Sequence, residues 1–331
     1  MATLSRSAFL AAGAAATAAV ALPSLPAAAD PARTLRIAYQ RNGVLLIVKQ
    51  QGLLEKRLAP LGVSVSWSQF ETGPPILEAL NGNGLDIGLT GDSPPIFAQV
   101  GNASFVYLAA VPDPGENCGI VVHADSGITS LAGLKGKRIA FSRGSIAHNL
   151  VARALASARL TFAQVQAVNL QPADAAAAYR NGSVDAYAVW DPFFALAQQM
   201  PNTRTLITAD KVAPSNRFFL AAKSFAAQNP QIVSAFVDEV AAASRWAGAH
   251  RNDIAQVFSA ASGVDLATEK IVAARETYEV RYIDNDIVKR QQGIADRFAL
   301  LQLIPHSVDV RSIAYVPSAA ARASLAKAAR G

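Results

Sequence analysis

Four short segments carry residue types from which an anion site can be built. Residues 40–44, 90–94, 142–148 and 190–193 each place Gly, Ser, Thr, Asn or Asp where a β-type run gives way to a helical one. Ligands of open α/β sheets collect beyond the carboxyl ends of the strands. A helix N-terminus there offers unpaired N–H groups and about half a positive charge, so several converging ends attract an anion. Gly43, Gly91 and Gly144 let an oxyanion approach the backbone. Thr90 and Ser145 add hydroxyl donors, and Asn149 adds an amide. Trp190 closes a β-type run beside the fourth turn, reading either as a core aromatic or as a wall for an apolar ligand tail. Asp92 and Asp191 precede proline-containing helix starts, the N-cap position. Their charge would repel an acidic ligand, so it must be spent on helix amides or on a bond across the cleft. Arg217 opens the apolar run Phe218-Phe219-Leu220 and either pairs with an acid or forks onto an oxyanion.

Other chemistry is poorly represented. His148 reads as a hydrogen-bonded helix residue, and His123, His250 and His306 show no metal-ligand spacing, so neither a metal nor a cofactor is expected. No Gly-x-Ser-x-Gly, His-Glu-x-x-His or Gly-x-Gly-x-x-Gly run is present. The lysine of Gly133-Leu134-Lys135-Gly136-Lys137 lacks the following Ser/Thr and precedes a strand, which excludes a phosphate loop. No catalytic residue is assigned.

The elements that must position these turns are legible from periodicity. Residues 35–39 and 137–141 alternate as strands, each followed by a turn and a helical segment, 44–56 in the first case and from 145 in the second. That alternation predicts βαβ units and a largely parallel sheet. A weak internal repeat links residues 85–95 (LDIGLTGDSPP) to 184–192 (VDAYAVWDP): an apolar residue and Asp86 or Asp185, a short strand, then Asp92 or Asp191 before proline. Two similar α/β lobes follow, lobe I from 33–113 and 215–331 and lobe II from 114–214. They are joined by a two-crossover hinge with a ligand cleft between. Residues 217–222 read as a strand, and 232–247, 253–261 and 287–301 as helices.

Composition agrees. The 331 residues suit about two domains, and 51% hydrophobic residues with a net charge of +6 exclude disorder. The basic residues are dispersed rather than clustered, which argues against nucleic acid. One cysteine excludes a disulfide scaffold. Residues 1–29 read as a signal peptide: Arg6, an apolar stretch too short for a membrane span, Pro23 and Pro26, then a cleavage site at Ala27-Ala28-Ala29. The export route is open between the general and twin-arginine pathways, since Ser7 replaces a second arginine. The mature chain is expected in the periplasm.

Several of these residues together carry a resemblance. Tyr39-Gln40, Leu53-Leu54-Glu55-Lys56-Arg57, Gly73-Pro74 with Leu77-Glu78-Ala79-Leu80-Asn81, and Thr90-Gly91-Asp92 with Pro94-Pro95-Ile96-Phe97 follow one another in order. Gly144-Ser145, His148-Asn149-Leu150, Trp190-Asp191-Pro192 and Phe219-Leu220-Ala221-Ala222 complete the series. It is similar to the aliphatic-sulfonate-binding proteins (SsuA type) of bacterial ABC importers over residues 35–315. The resemblance implies a type II periplasmic-binding-protein fold and a non-enzymatic receptor. Such a receptor closes on a sulfonate and delivers it to a membrane permease for sulfur acquisition, working as a monomer. It carries the pocket onto Gln40, Thr90, Gly91, Asp92, Ser145, His148, Asn149, Trp190, Asp191 and Arg217. Asn42, Gly43 and Ile146 complete the candidate set, from turns where this chain departs from the family's hydroxyl-rich pattern. Those departures predict a less polar pocket and a bulkier or aromatic sulfonate. The alternatives are taurine, a sulfate ester, nitrate or a vitamin precursor. More remotely, a sulfinate desulfinase would have to use Cys118, in a run that reads as a strand start.

Overall fold

The computed structural model describes residues 33–212 and 214–328. The leader read over residues 1–29 lies outside them. Residues 33 onward form one compact unit.

The first half of the chain builds β1 (Arg33–Tyr39), α1 (Val44–Gln51), α2 (Leu53–Leu58), β2 (Val63–Gln69), α3 (Gly73–Asn81), β3 (Ile87–Thr90), α4 (Ser93–Val100) and β4 (Phe105–Asp113). The single helix expected over 44–56 is broken at Gly52. Its left-handed backbone (φ 61°) lets its N–H cap Lys49 and ends α1, and α2 starts one residue later. The chain then crosses into β5 (Cys118–His123), β6 (Arg138–Phe141), α5 (Ile146–Ser157), β7 (Gln166–Asn169), α6 (Pro172–Arg180), β8 (Ala186–Trp190), α7 (Phe193–Gln198) and β9 (Thr203–Thr208). It returns through β10 (Ser215–Ala222) to α8 (Lys223–Gln228), α9 (Pro230–Ala249), α10 (Arg251–Ser262), α11 (Leu266–Arg275), β11 (Arg281–Tyr282), α12 (Asn285–Leu300) and α13 (Ala319–Ala328).

Two sheets result, in the orders β11-β4-β10-β3-β1-β2 and β7-β6-β8-β5-β9. They are mixed, not largely parallel. β2-β1-β3 and β7-β6-β8 are parallel trios, but β10 runs antiparallel to β3 and β4, and β5 antiparallel to β8 and β9. The reason lies in the crossovers. A strand that leaves or re-enters a sheet without a helical return has to run against its neighbour.

The repeat has a shared physical basis. Asp86, before β3, accepts from the Arg36 backbone N–H (2.8 Å), Nε (3.1 Å) and Nη2 (2.7 Å) on β1. Asp185, before β8, accepts from the same three groups of Arg138 on β6, at 2.8, 3.1 and 2.8 Å. In each sheet this clamp fixes the register of the two inner parallel strands and aligns their carboxyl ends at one edge. A core of Leu35, Ile37, Ile87, Phe218 and Phe219 fills the first sheet's side, with the long amphipathic α9 laid over α1 and α2. Ile139, Leu150, Val151 and Ala188 fill one face of the second sheet.

Candidate functional site

Four turns at the strand ends meet around one cavity of about 50 Å³, lined by residues of both sheets. Asn42, just before α1 (eight residues), and Ser145 with Ile146, where α5 (twelve) begins, line it, whereas Gly43 and the first residues of α1 do not; neither helix has a side-chain cap. Their first amides (Val44 and Leu45, Ile146 and Ala147) precede any intrahelical acceptor. Gly43 begins α1 at φ 90°, a conformation suited to glycine, and a side chain there would stand 3.8 Å from Arg217 Nη1.

The other two turns work differently. α4 begins Ser93-Pro94-Pro95, and both prolines lack the N–H an anion would need. α7 has only six residues, and its Ala195 N–H already donates to Asp191 Oδ1 (2.9 Å). The expected convergence of four amide-bearing ends is therefore reduced to two.

Asp92 sits at the N-cap position of α4, but its side chain does not cap the helix. It accepts from Ser93 Oγ (2.7 Å) and from Asn149 Nδ2 of α5 (2.7 Å), a buried bond between the two halves. Gln291 Nε2 on α12 donates to the Asp92 carbonyl (2.6 Å). Complete burial raises the Asp92 carboxyl to about 6, against the opposing help of Ser93 and Asn149. Of the two uses expected for its charge, the cross-cleft bond is the one present. Asp92 and Asn149 lie behind the cavity wall and do not line it.

Asp191 does line it. Burial raises its carboxyl to about 7, partly offset by Arg275, which approaches Oδ1 at 3.4 Å. Its Oδ2 has no partner among the described residues, nor has Oδ1 of neighbouring Asn117, which also lines the cavity. The Asp191 N–H donates to the Asn117 carbonyl (2.8 Å), and Asn42 Nδ2 reaches across to the Asp191 carbonyl (3.1 Å).

Arg217 also lines the cavity, with Nε 3.4 Å from Asp113 Oδ2 and Nη1 paired with Glu276 Oε1. Both alternatives read for it are compatible with this placement, but its charge is already met by two carboxylates. Burial raises the Glu276 carboxyl, and the Arg217 guanidinium opposes that shift.

Gln40, Thr90, Ser145, Ile146 and Trp190 complete the lining drawn from the sequence set. Thr90 Oγ1 donates to the Gly91 carbonyl (3.0 Å) and Ser145 Oγ to the Ser142 carbonyl (2.7 Å). Each hydroxyl must rotate before its proton can meet an oxyanion. Gly91 lines the cavity, but a Cβ there would meet Ile146 Cβ at 3.1 Å, so its bareness admits the opposite half of the protein. Gly144 is called for by its backbone instead: at φ 76° a side chain is strained, although a Cβ would meet Phe97 and Pro74 only at an ordinary 3.7 Å.

His148 is placed away from the cavity. It stacks on Phe97 and Phe141 and lies tilted against Phe298, its Nδ1 accepts from the Gly144 N–H (3.2 Å), and burial lowers it to about 4. Asp113, Asn117 and Glu276, along with Gly73, Leu89 and Pro94, line the cavity without belonging to the candidate site set drawn from the sequence. Among the described residues no group of His, Cys, Asp and Glu could hold a metal ion. Cys118 is fully buried, and burial raises its thiol well above the ordinary value, which leaves it inert as a nucleophile.

Residues 68–254 match the family described as NMT1/THI5 like. The periplasmic aliphatic sulphonate binding protein SsuA from Escherichia coli is 34% identical, with a TM-score of 0.80 over 87% of this chain and 94% of that one. The alkanesulfonate-binding protein SsuA from Xanthomonas axonopodis pv. citri, bound to MOPS, is also 34% identical, with a TM-score of 0.82 over 87% and 99%. The desulfurization enzyme DSZB, at 18% identity and a TM-score of 0.66 over 89% and 99%, shares the fold alone. The architecture is the type II periplasmic-binding-protein fold, and the chain belongs to the NMT1/THI5-like family, among the aliphatic-sulfonate-binding proteins.

Proposed function

We propose that this chain is the periplasmic solute-binding component of an ABC importer, taking an organic sulfonate for sulfur acquisition. Residues 33–113 with 215–331 act as one lobe of a clamp and 114–214 as the other. A leader ending near Ala29 directs export, and the closed monomer presents its ligand to a membrane permease. The observation that carries the reading is that the turns leading into two uncapped helices, Gln40 and Asn42 before α1 and Ser145 with Ile146 at α5, line a single cavity. Kinship with sulfonate-binding proteins supports the same anion. A ligand gripped from both halves favours the closed arrangement, which is the differential affinity a population shift requires.

Cavity size bears on the tail. At about 50 Å³ it is far smaller than the roughly 150 Å³ that accommodates benzene. A compact aliphatic sulfonate suits this closed cleft. The bulkier or aromatic sulfonate expected from the sequence needs the halves to part, with Trp190 as its wall.

The test is calorimetric titration of the purified protein with methane-, ethane- and propanesulfonate beside sulfate and nitrate. Micromolar binding of at least one alkanesulfonate, equivalent to about −8 kcal/mol, is expected. Absence of binding by every sulfonate overturns the reading.

A further inference from the structure

The end of α11 is anchored within its own part of the chain and reaches from there into the other. Arg251, the first residue of α10, brings Nη1 to the carbonyls of Ala273 (2.5 Å), Ala274 (3.0 Å) and Glu276 (3.1 Å). Carbonyls at the end of a helix have no partner inside it, so this contact fixes where α11 stops. Glu276, the next residue after the helix, pairs with Arg217 of β10. The last residue of the helix, Arg275, is spent elsewhere, on α7 and on the turn after β8. Its Nη2 donates to Gln198 Oε1 (2.6 Å) and its Nη1 to Asp191 Oδ1 (3.4 Å), and the guanidinium lies 5.2 Å from the centre of the Phe194 ring. The Gln198 amide is oriented for this bond, because its Nε2 donates to Thr205 Oγ1 on β9 (2.9 Å). Beside it, Gln199 Nε2 donates to Thr268 Oγ1 of α11 (2.8 Å), and Ala195 shares an apolar cluster with Val272 and Ala273. Asp191 lines the cavity, whereas Arg275 does not.

We propose that Arg275 is a closure latch, a positioning residue that touches no ligand and holds residues 114–214 against residues 215–331 through Asp191, Gln198 and Phe194. This rests on the two-lobe clamp reading above and goes beyond it by naming what keeps the clamp shut. A guanidinium suits the task. Its planar fork meets two acceptors and an aromatic face at once, which a lysine ammonium cannot do. The side chain is 21% exposed, so water reaches it when the contact breaks and no bare charge is left buried. Contacts made only in the closed arrangement raise the closed fraction. The apparent dissociation constant of any ligand scales inversely with that fraction. Removing the latch therefore weakens every ligand by one common factor, whereas removing a residue that touches the ligand weakens different ligands differently.

The test is calorimetry of Arg275→Ala with methane-, ethane- and propanesulfonate, beside small-angle X-ray scattering of the ligand-free and saturated proteins. An equal loss of about tenfold is expected for each sulfonate that the wild type binds. The ligand-free variant is expected to have a larger radius of gyration than the wild type and to match it when saturated, a recovery that a merely damaged fold would not show. Gln198→Ala removes one acceptor and leaves the Arg275–Asp191 pair in place, so it loosens the grip without changing the charge at the cavity. It is expected to cost about threefold, again equally for each ligand, and it carries the test should Arg275→Ala fail to fold. Unchanged affinity, or losses that differ among the ligands by more than about threefold, overturns the latch and leaves the sulfonate reading standing. Should no sulfonate bind the wild type, the sulfonate reading falls and scattering decides the latch: an expanded variant supports it, and superimposable curves overturn it.

Discussion

Asp86 and Asp185 do the same thing in the two halves, whereas Asp92 and Asp191, each six positions further on, do different things. The first pair clamps an arginine of the adjoining strand through three matched hydrogen bonds. Of the second pair, Asp92 is spent on a buried bond to Asn149, and Asp191, which lines the cavity, keeps one oxygen without a partner among the described residues. The lesson is about where duplication tolerates drift. A carboxylate that sets strand register is held to one geometry by the backbone N–H it receives. A carboxylate beyond the strand end answers only to what the opposite half or a ligand presents.

The contrast is broken most severely at β10, which runs antiparallel between β3 and β4 as β5 runs between β8 and β9. Arg217→Ala leaves Asp113 and Glu276 buried without their cation. A loss of about 3–5 kcal/mol in chemical denaturation is expected, and a loss below 1 kcal/mol would show that the pair is not structural. The two kinds of aspartate should next separate by pH. Asp92, raised from 3.8 to about 6, contributes stability that is complete below pH 4 and lost as the pH climbs through 6. Asp185, held low chiefly by its hydrogen bonds from Arg138, contributes stability above pH 4 that is lost in stronger acid. Asp92→Asn should therefore gain on the wild type by on the order of 2–3 kcal/mol between pH 4 and pH 8. Denaturation midpoints across that range check it, and parallel curves would refute the assignment.

Sameness of the outer pair is sharpened by Asp86→Ala, expected to cost about 2 kcal/mol. Asp185→Ala should cost less, because its carboxylate is more exposed, 27% against 9%. Neither should change sulfonate affinity by more than twofold in calorimetry. A tenfold change from either would erase the division between scaffold and site. The smallest effect is expected at Trp190→Ala, which should weaken organic sulfonates by about tenfold, or 1.4 kcal/mol, and leave small inorganic oxyanions nearly unaffected. Equal losses would remove Trp190 from the role of tail wall.

Much of the scaffold was readable because it is local. The alternation of residues 35–39, the apolar run after Arg217 and the Asp-before-proline turns each announce an element within a few residues. The mates of Asp86 and Asp185 were also within reach. Arg36-Ile37-Ala38-Tyr39 and Arg138-Ile139-Ala140-Phe141 form a second repeat, and pairing it with the first predicts both clamps. The acidic character of the cavity was not readable. Arg275 meets Asp191 across 84 positions, and Glu276 stands at the end of α11, an element whose periodicity marks only a packed face. Glycine at 91 signals close approach without naming what approaches, and here it is Ile146 of α5. The resemblance carries the pocket onto His148, whereas the residue itself reads as a helix residue, and the structure sets it in an aromatic cluster.

Cys118 has a practical consequence. It is the sole sulfhydryl of the sequence and sits fully enclosed at the start of β5, opposite Trp190. Alkylating dyes should pass it by. A cysteine introduced at an exposed position such as Arg143 would then be the one reactive handle for a fluorophore.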